Sequence, residues 1–173
     1  MTAATDTVGV LGDGALVPAV RAALDGVAVG VPAAIVVPAV PQPAPLAALT
    51  DERLATDVGD ALDAVLAHVQ HALDRLHGGG RLVFVLPHAP LMAATGCAAA
   101  SAVTNGVLSM ARTLAIELAR DAVTVNVIAL DAADPAVPAL TGVLAGLLGP
   151  GGEAVTGQET YLTAGTDLGR LRP

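Results

Sequence analysis

Lysine and tryptophan are absent from this chain of 173 residues, and aromatic side chains are nearly so, with one Phe and one Tyr. Without lysine, the chain has no Schiff-base lysine, no phosphate-loop lysine and no lysine to assist a tyrosine. Its eight basic residues are all arginine, and the formal net charge is −8. We expect no nucleic-acid partner, because that binding depends on neutralising phosphates.

The shortage of large side chains also constrains the core, which must consist mainly of Ala, Val and Leu. Small side chains bury little area each, so we expect close helix packing or association with another subunit. The length fits one domain, taken as residues 1–173. The single cysteine, Cys97, has no intramolecular disulfide partner and is interpreted as a packing residue.

No basic segment precedes an apolar run at the N-terminus, which favours a cytoplasmic protein without a secretory signal. Two long stretches lack charge, Gly26–Thr50 and Leu82–Ala111. Proline, glycine and polar residues interrupt both, so we interpret them as buried strands and loops and expect no membrane partner.

Short apolar runs alternate with amphipathic segments, which is typical of a parallel α/β sheet covered on both faces. The predicted strands are TVGVL (7–11), AAIVVPAV (33–40), RLVFVLP (81–87), AVTVNVIAL (122–130) and a short ETYLTAG (159–165), with VAVGV (27–31) as a candidate extra strand. Helices are predicted after the first glycine turn, from residue 50 to HGGG, over 100–120 and over 138–148. Thr50 is the expected N-cap of the long helix, with Asp51 and Glu52 suiting its dipole.

Four segments carry a more specific signal: GGGRLVFVLP (78–87), ARTLAIELA (111–119), VTVNVIA (123–129) and VTGQETYLTAG (155–165). In order and spacing they resemble the short-chain dehydrogenase/reductase family, including its ketoacyl-carrier-protein reductase branch. The resemblance implies an α/β fold, a Rossmann-like doubly wound parallel sheet. It also implies that this sheet is shortened and lacks strands and helices of the adenosine-binding half.

The resemblance implies a catalytic Tyr, Lys, Ser and Asn in active members of the family. Counted from the matching segments, Ala100 stands at the Tyr position and Thr104 at the Lys position. Pro87 stands at the Ser position, and Gly59 lies near the Asn position. None of these four side chains can replace the family residue, so we predict that all four catalytic positions are vacated.

The cofactor-binding turn is retained only in part, as Gly12 and Gly14. Ala15 and Val17 replace the later glycines of the family turn, while the family's residues after two further strands are replaced at 37–40 and 130–131. Only residues 25–32 separate the first helix from the second strand, although one parallel crossover takes at least about 10–12 residues. We therefore expect this chain to bind no cofactor, with NAD(P) bound only by a partner.

Individual histidines, serines and other polar residues suggest more specific functions, which we weigh against structural roles. His68, His71 and His77 could suggest metal ligands, but no Cys or acidic cluster has matching spacing, and solvated or interface histidines are favoured. His88 follows the vacated Ser position and is a candidate base. The remaining polar candidates favour structural roles: Ser101 and Ser109 are not in a nucleophile elbow, Tyr161 suits packing or an interface, and Asp13 is either a turn residue or a repellent for phosphate.

The interpretation that joins these observations is a non-catalytic subunit. It would form a hetero-oligomer with an active, full-length NAD(P)-dependent family member, which it stabilises or regulates. The predicted contacts are the helices 50–77 and 100–120 and the C-terminal strand. Two alternatives stay open: a divergent oxidoreductase or other enzyme that uses displaced residues such as His88, and a homo-oligomeric scaffold, including a homodimer, or ligand-binding protein.

Overall fold

The computed structural model describes residues 8–76 and 78–163, which fold around one parallel sheet. Its strands are β1 (Val8–Leu11), β2 (Ala33–Val36), β3 (Gly80–Pro87), β4 (Val123–Leu130) and β5 (Glu159–Leu162). The strands lie side by side in chain order, β1-β2-β3-β4-β5. This is the Rossmann-like α/β architecture that the sequence predicted.

The shortening of the sheet is visible between the first two strands. β1 pairs directly with β2, with Val8 opposite Ala33 and Leu11 opposite Val36. Among the described residues, one glycine turn, one helix and the link at 25–32 are all that lies between these two strands in the chain. The structure thus confirms that the intervening strands of the family fold are missing here.

Helices connect the strands. They are α1 (Val17–Leu24), α2 (Asp51–Leu54), α3 (Ala61–Leu76), α4 (His88–Leu91), α5 (Ala98–Glu117) and α6 (Val137–Leu148). A π-helical segment, Ala55–Asp60, joins α2 to α3, and single 3-10 turns occupy Leu46–Ala48, Ala119–Asp121 and Gly152–Ala154. The predicted N-cap is confirmed, since the Thr50 hydroxyl oxygen accepts the Arg53 N–H at 3.2 Å.

Three predictions about elements were wrong in detail. The strand predicted over 33–40 ends at Val36, where the proline-rich loop begins. Residues 27–31 form no strand, because β2 already pairs with β1 on one side and with β3 on the other, leaving no free sheet edge beside it. The helix predicted over 100–120 ends earlier, at Glu117. A 3-10 turn and a left-handed residue, Ala122 with φ 56°, then direct the chain into β4.

The helices form two layers on opposite faces of the sheet. Helices α3 and α5 pack on one face, which includes Ala34, Phe84 and Val127. Helices α1 and α6 pack on the other, which includes Ile35, Val83 and Ile128. We call these the α3–α5 layer and the α1–α6 layer. Alternate residues of each strand point to opposite faces and pack against opposite layers. Ala, Val and Leu dominate both cores, as the composition predicted.

None of the helices in the described ranges is long and apolar enough to cross a membrane. The uncharged stretch that includes β2 contributes a buried strand and a proline-rich loop. The second such stretch contributes β3, α4 and most of α5.

Candidate functional site

A cavity of about 520 Å³ lies at the carboxyl ends of the strands. Its walls are the turn after β1, the loop after β2, α4, the start of α5 and the loop after β4. Parallel α/β sheets bind ligands outside the carboxyl ends of their strands, and the volume is within the range of small-molecule sites. This cavity is therefore the candidate functional site.

The structure brings some of the predicted site residues to this cavity and leaves others outside. Pro87 and Ala100, at the vacated Ser and Tyr positions, both line it, together with Gly14. Thr104, at the Lys position, is fully buried and donates its hydroxyl hydrogen to the Ala100 carbonyl at 3.0 Å. Gly59, near the Asn position, is exposed in the π-helical segment and does not line the cavity.

The glycine turn after β1 is filled by the protein's own backbone. A Cβ on Gly12, whose φ is +99°, would lie 2.3 Å from the Val37 carbonyl oxygen. A Cβ on Gly14 would lie 2.2 Å from the Pro38 carbonyl oxygen. The Gly14 N–H also donates to the Val37 carbonyl at 3.1 Å. Both glycines thus allow the loop after β2 to approach this turn closely.

The glycine turn and the cavity beside it do not fit the pyrophosphate of a nicotinamide dinucleotide. The N–H of Gly14 is already bonded within the protein, and Pro18 in the first turn of α1 has no N–H. Two acidic side chains, Asp13 and Asp131, line the cavity. Among the described residues that line it, none is Arg or His, so no basic side chain offsets the repulsion that the two carboxylates exert on an anion. That this chain binds no NAD(P) stays a prediction.

The candidate nucleophiles and bases lie away from the cavity surface. His88 is buried at the start of α4 and is not among the residues that line the cavity, although Pro87, Ala89 and Pro90 are. The Ser101 hydroxyl donates to the Pro90 carbonyl at 2.8 Å, which ties α5 to α4. Ser109 is exposed on α5. The geometry therefore gives the enzyme alternative based on His88 no support.

The metal hypothesis has no geometric support either. His68 is half-buried and His71 is exposed, both on α3, while His77 lies outside the described residues. Within the ranges 8–76 and 78–163, no group of three or more His, Cys, Asp or Glu side chains could hold a metal ion. Cys97 is buried with a free thiol and lines the cavity, so it packs as predicted and also faces the site.

Sequence reasoning missed the pairing of Asp13 with Asp131 at one cavity. It had treated Asp13 as a turn residue or a repellent for phosphate, and position 131 only as one of the replaced family residues at 130–131. A signal was present: one aspartate comes two residues after β1, and the other directly follows β4. The carboxyl ends of parallel strands meet at one edge of a sheet, so this placement predicts that both side chains lie at that edge.

Tyr161 lies on the edge strand β5, outside the cavity lining, in a small polar group. The Arg112 side chain on α5 donates from Nε to Glu159 Oε1 at 2.8 Å. The Tyr161 hydroxyl donates to Glu159 Oε2 at 3.4 Å. Burial raises the pKa of Tyr161, and the Glu159 carboxylate raises it further, while Arg112 lowers it. The group connects β5 to the α3–α5 layer, as a packing role requires.

Large exposed hydrophobic side chains form the other notable surface. Those identified are Leu46, Leu54, Leu66 and Ile116. Ile116 is 80% exposed on α5, and Leu66 is 46% exposed on α3. The others lie on α2 and on the 3-10 turn before it. All four therefore belong to the α3–α5 layer or to the segment that leads into it.

Comparisons with known proteins agree with this architecture. The model of the enoyl-(acyl carrier protein) reductase family matches residues 14–138 of the chain. The fold and this match define the class, an oxidoreductase-like Rossmann domain. The chain belongs to the short-chain dehydrogenase/reductase family. A comparison with curated proteins finds no match.

Several solved structures are similar to this chain in fold. A putative oxidoreductase from Escherichia coli K-12 gives a TM-score of 0.70 at 17% identity, over 80% of this chain and 64% of that one. An acetoin dehydrogenase from Salmonella typhimurium gives 0.70 at 16%, over 80% and 65%. The chain thus spans less than two thirds of these two proteins. A short-chain dehydrogenase/reductase from Brucella melitensis gives 0.74 at 16%, over 92% and 96%.

Proposed function

We propose that this chain is a non-catalytic family member that assembles with an active, full-length NAD(P)-dependent dehydrogenase or reductase and stabilises or regulates it. The observation that carries the proposal is a contrast within α5. Its first turns present Ala100 and Thr104 where an active member has Tyr and Lys, while its last turn exposes Ile116. The helix lacks the reactive side chains and offers an apolar surface to a partner.

The proposed contact surface consists of α2, α3, α5 and β5. A large apolar side chain that is mostly exposed in the isolated chain gains free energy when a partner covers it. Such side chains on neighbouring helices favour an interface over a solvated face. The bond from Arg112 to Glu159 joins α5 to β5. These elements therefore form one continuous surface.

Close packing of the two long helices gives this surface a rigid base. An ideal Cβ on Gly106 of α5 would lie 3.4 Å from Cδ2 of Leu62 on α3, in van der Waals contact, so a larger side chain there would push against Leu62. Gly106 thus lets the two helices approach each other. A preorganised pair of helices loses less entropy on binding than a mobile one.

Charge favours a different partner chain over a second copy of this one. Residues 51–76 contain the acidic side chains Asp51, Glu52, Asp57, Asp60, Asp63 and Asp74, against the basic side chains Arg53 and Arg75. A second copy would bring two acidic helices together, and like charges across an interface are repulsive. A partner with a neutral or basic opposing surface avoids that repulsion.

Co-expression tests the proposal. The chain would be produced together with each full-length family member encoded near its gene, and the purified complexes would be weighed by native mass spectrometry. We expect a hetero-oligomer whose partner is less stable or differently active alone. Homo-oligomers only, beside a partner that is stable and fully active by itself, would contradict the proposal and favour the homo-oligomeric scaffold.

Two charge substitutions locate the interface. Ile116→Asp on α5 places a charge in the proposed contact and should weaken the hetero-oligomer at least about tenfold. Ala145→Asp is the matched control, an exposed position on α6 in the opposite layer. It should leave the complex unchanged. Equal effects of the two substitutions would place the interface elsewhere.

Cofactor binding is tested on the chain alone. Titration with NADH and with NADPH, followed by cofactor fluorescence, should show no saturable binding, because the glycine turn is occupied by backbone and the cavity is acidic. The partner alone should bind. Tight stoichiometric binding by this chain would show that its cofactor site is functional.

A further inference from the structure

The cavity at the carboxyl edge of the sheet combines an apolar wall with two acidic side chains. We propose that it binds a small, largely apolar molecule that carries a cationic amine. The inference concerns this cavity only and does not depend on the proposed assembly. Its volume of about 520 Å³ fits a small organic ligand and is larger than a metal ion or a water cluster needs.

The apolar wall is rigid. Five of the residues that line the cavity are prolines: Pro38, Pro41, Pro43, Pro87 and Pro90. Proline fixes its own φ angle, so these segments lose little conformational freedom when a ligand orders them. Alanines, Leu16, Val37 and Val40 form most of the remaining wall. Such a surface binds an apolar body through burial of area.

The acidic side chains are available to a ligand. Asp131 Oδ1 accepts the Ala133 N–H at 2.9 Å, and no described residue bonds the second carboxylate oxygen, Oδ2. Among the described residues, no hydrogen bond or ion pair involves Asp13. An ammonium group donates up to three hydrogen bonds and forms charge-assisted bonds with carboxylates. An amine can therefore bond to acceptors that the protein leaves free.

The start of α1 is the one feature of the site that favours an anion. Ala15 and Leu16, just before α1, line the cavity. The end of a helix carries about half an elementary charge at most, and this effect fades within one turn. Two acidic side chains outweigh it, and no described residue that lines the cavity is basic. The net field favours a cation.

Isothermal titration calorimetry with three matched probes tests the charge preference. The probes are 4-phenylbutylamine, 4-phenylbutanol and 4-phenylbutanoate, which share one apolar body and differ in the charge of one end. We expect the amine to bind at least about tenfold more tightly than the alcohol, and the carboxylate to bind weakest. Carboxylate binding equal to or tighter than amine binding would overturn the proposal, and so would no binding of any probe.

Variants assign the binding to this cavity. Asp13→Asn and Asp131→Asn should each weaken amine binding several-fold and leave alcohol binding unchanged. Asp74→Asn is the control, an exposed aspartate on α3 outside the cavity lining, and should change neither. Ala39→Phe, at an exposed position in the lining, should weaken both the amine and the alcohol by filling space. Circular dichroism would verify that each variant is folded.

Unchanged amine binding in both cavity aspartate variants would contradict the proposed role of these side chains. Unchanged binding of all probes in Ala39→Phe and in Ala89→Phe, a second exposed lining position, would place the ligand elsewhere. Neither result would bear on the hetero-oligomer, whose test is the mass of the complex. Failure of the two proposals can therefore be distinguished.

Discussion

The two helical layers differ in how completely they are buried. In the α1–α6 layer, the large apolar side chains of α6 that face the sheet are buried, and its described exposed positions include Ala139, Gly142 and Ala145. In the α3–α5 layer, Leu66 and Ile116 face outward. The described α6 positions of the first layer expose small side chains to water, whereas the second layer exposes large apolar ones. The difference indicates which side of the molecule is suited to a partner.

The layers also differ in chain geometry. All four connections between strands step across the sheet in the same direction. Connections of the same hand would then place every helix on one face. Helices α1 and α6 lie on one face and α3 and α5 on the other, so the two layers have crossovers of opposite hand.

In the α1–α6 layer, we expect substitutions in the glycine turn before α1 to lower the free energy of unfolding most. In Gly14→Ala, the new Cβ would lie 2.2 Å from the Pro38 carbonyl oxygen, and backbone on both sides restricts relaxation. We expect a loss of about 2–3 kcal/mol in the free energy of unfolding, measured by urea denaturation without any ligand. Gly30→Ala is the control, since a Cβ there meets no atom within 4 Å. Equal stability of the two variants would mean that the turn is not closely packed.

The α3–α5 layer should respond to loss of its close helix approach. Leu in place of Gly gains helix propensity of about 1 kcal/mol. Gly142→Leu on α6, where a Cβ meets nothing within 4 Å, should realise part of this gain. Gly106→Leu pushes against Leu62 and should be less stable than Gly142→Leu by about 1–2 kcal/mol. Urea denaturation measures both, and equal stabilities would contradict the close approach of α3 and α5.

Among the described helices for which an N-cap is defined, α2, which leads into the α3–α5 layer, is the one with a side-chain cap. Thr50→Ala removes the oxygen that accepts the Arg53 N–H, and we expect a loss of about 1 kcal/mol in the free energy of unfolding. Thr113→Ala on α5 is the matched control, because that hydroxyl donates to a carbonyl of its own helix. It should change stability by less than about 0.5 kcal/mol. A larger loss at Thr113 would contradict the assigned roles.

The sequence predicted most of the fold because strand runs and helix signals were strong, as at Thr50 and in RLVFVLP. The surface of the long helix was harder to predict. Its apolar residues from Leu54 to Leu76 fit a single helical period, but the π-helical segment at 55–60 changes the period locally. Leu54 and Leu66 are about half exposed although both fit that period. A π-helical turn leaves no distinct pattern of residue types.

The candidate site was predicted in part. Pro87, Ala100 and Gly14 were assigned by matching segments to a family, and the structure brings them to one cavity. The crowding of Gly12 and Gly14 by residues 37 and 38 was not predictable, because it depends on how closely the loop after β2 approaches the turn. Such an approach is a tertiary distance, which neither composition nor spacing encodes.

The smallest expected effect concerns the connection between the α3–α5 layer and β5. Burial first, and then the Glu159 carboxylate, raise the pKa of Tyr161 above its ordinary value, while Arg112 lowers it. Glu159→Gln should therefore lower the Tyr161 pKa without restoring the ordinary value, since burial remains. Arg112→Gln should raise it. With one tyrosine and no tryptophan in the chain, the ultraviolet absorbance of the phenolate reports this group alone.

The raised pKa of Tyr161 also determines how the free energy of unfolding changes with pH. A folded-state pKa above the unfolded value means that the folded chain holds the phenolic proton more tightly. The resulting contribution is fully present below about pH 10 and is lost as the pH rises through the higher folded-state pKa. Urea denaturation in this alkaline range should show a steeper loss of stability than in Tyr161→Phe. A Glu159→Gln variant with a raised Tyr161 pKa would contradict the bond between the Tyr161 hydroxyl and the Glu159 carboxylate, and Tyr161 would then have no part in the polar group that joins α5 to β5.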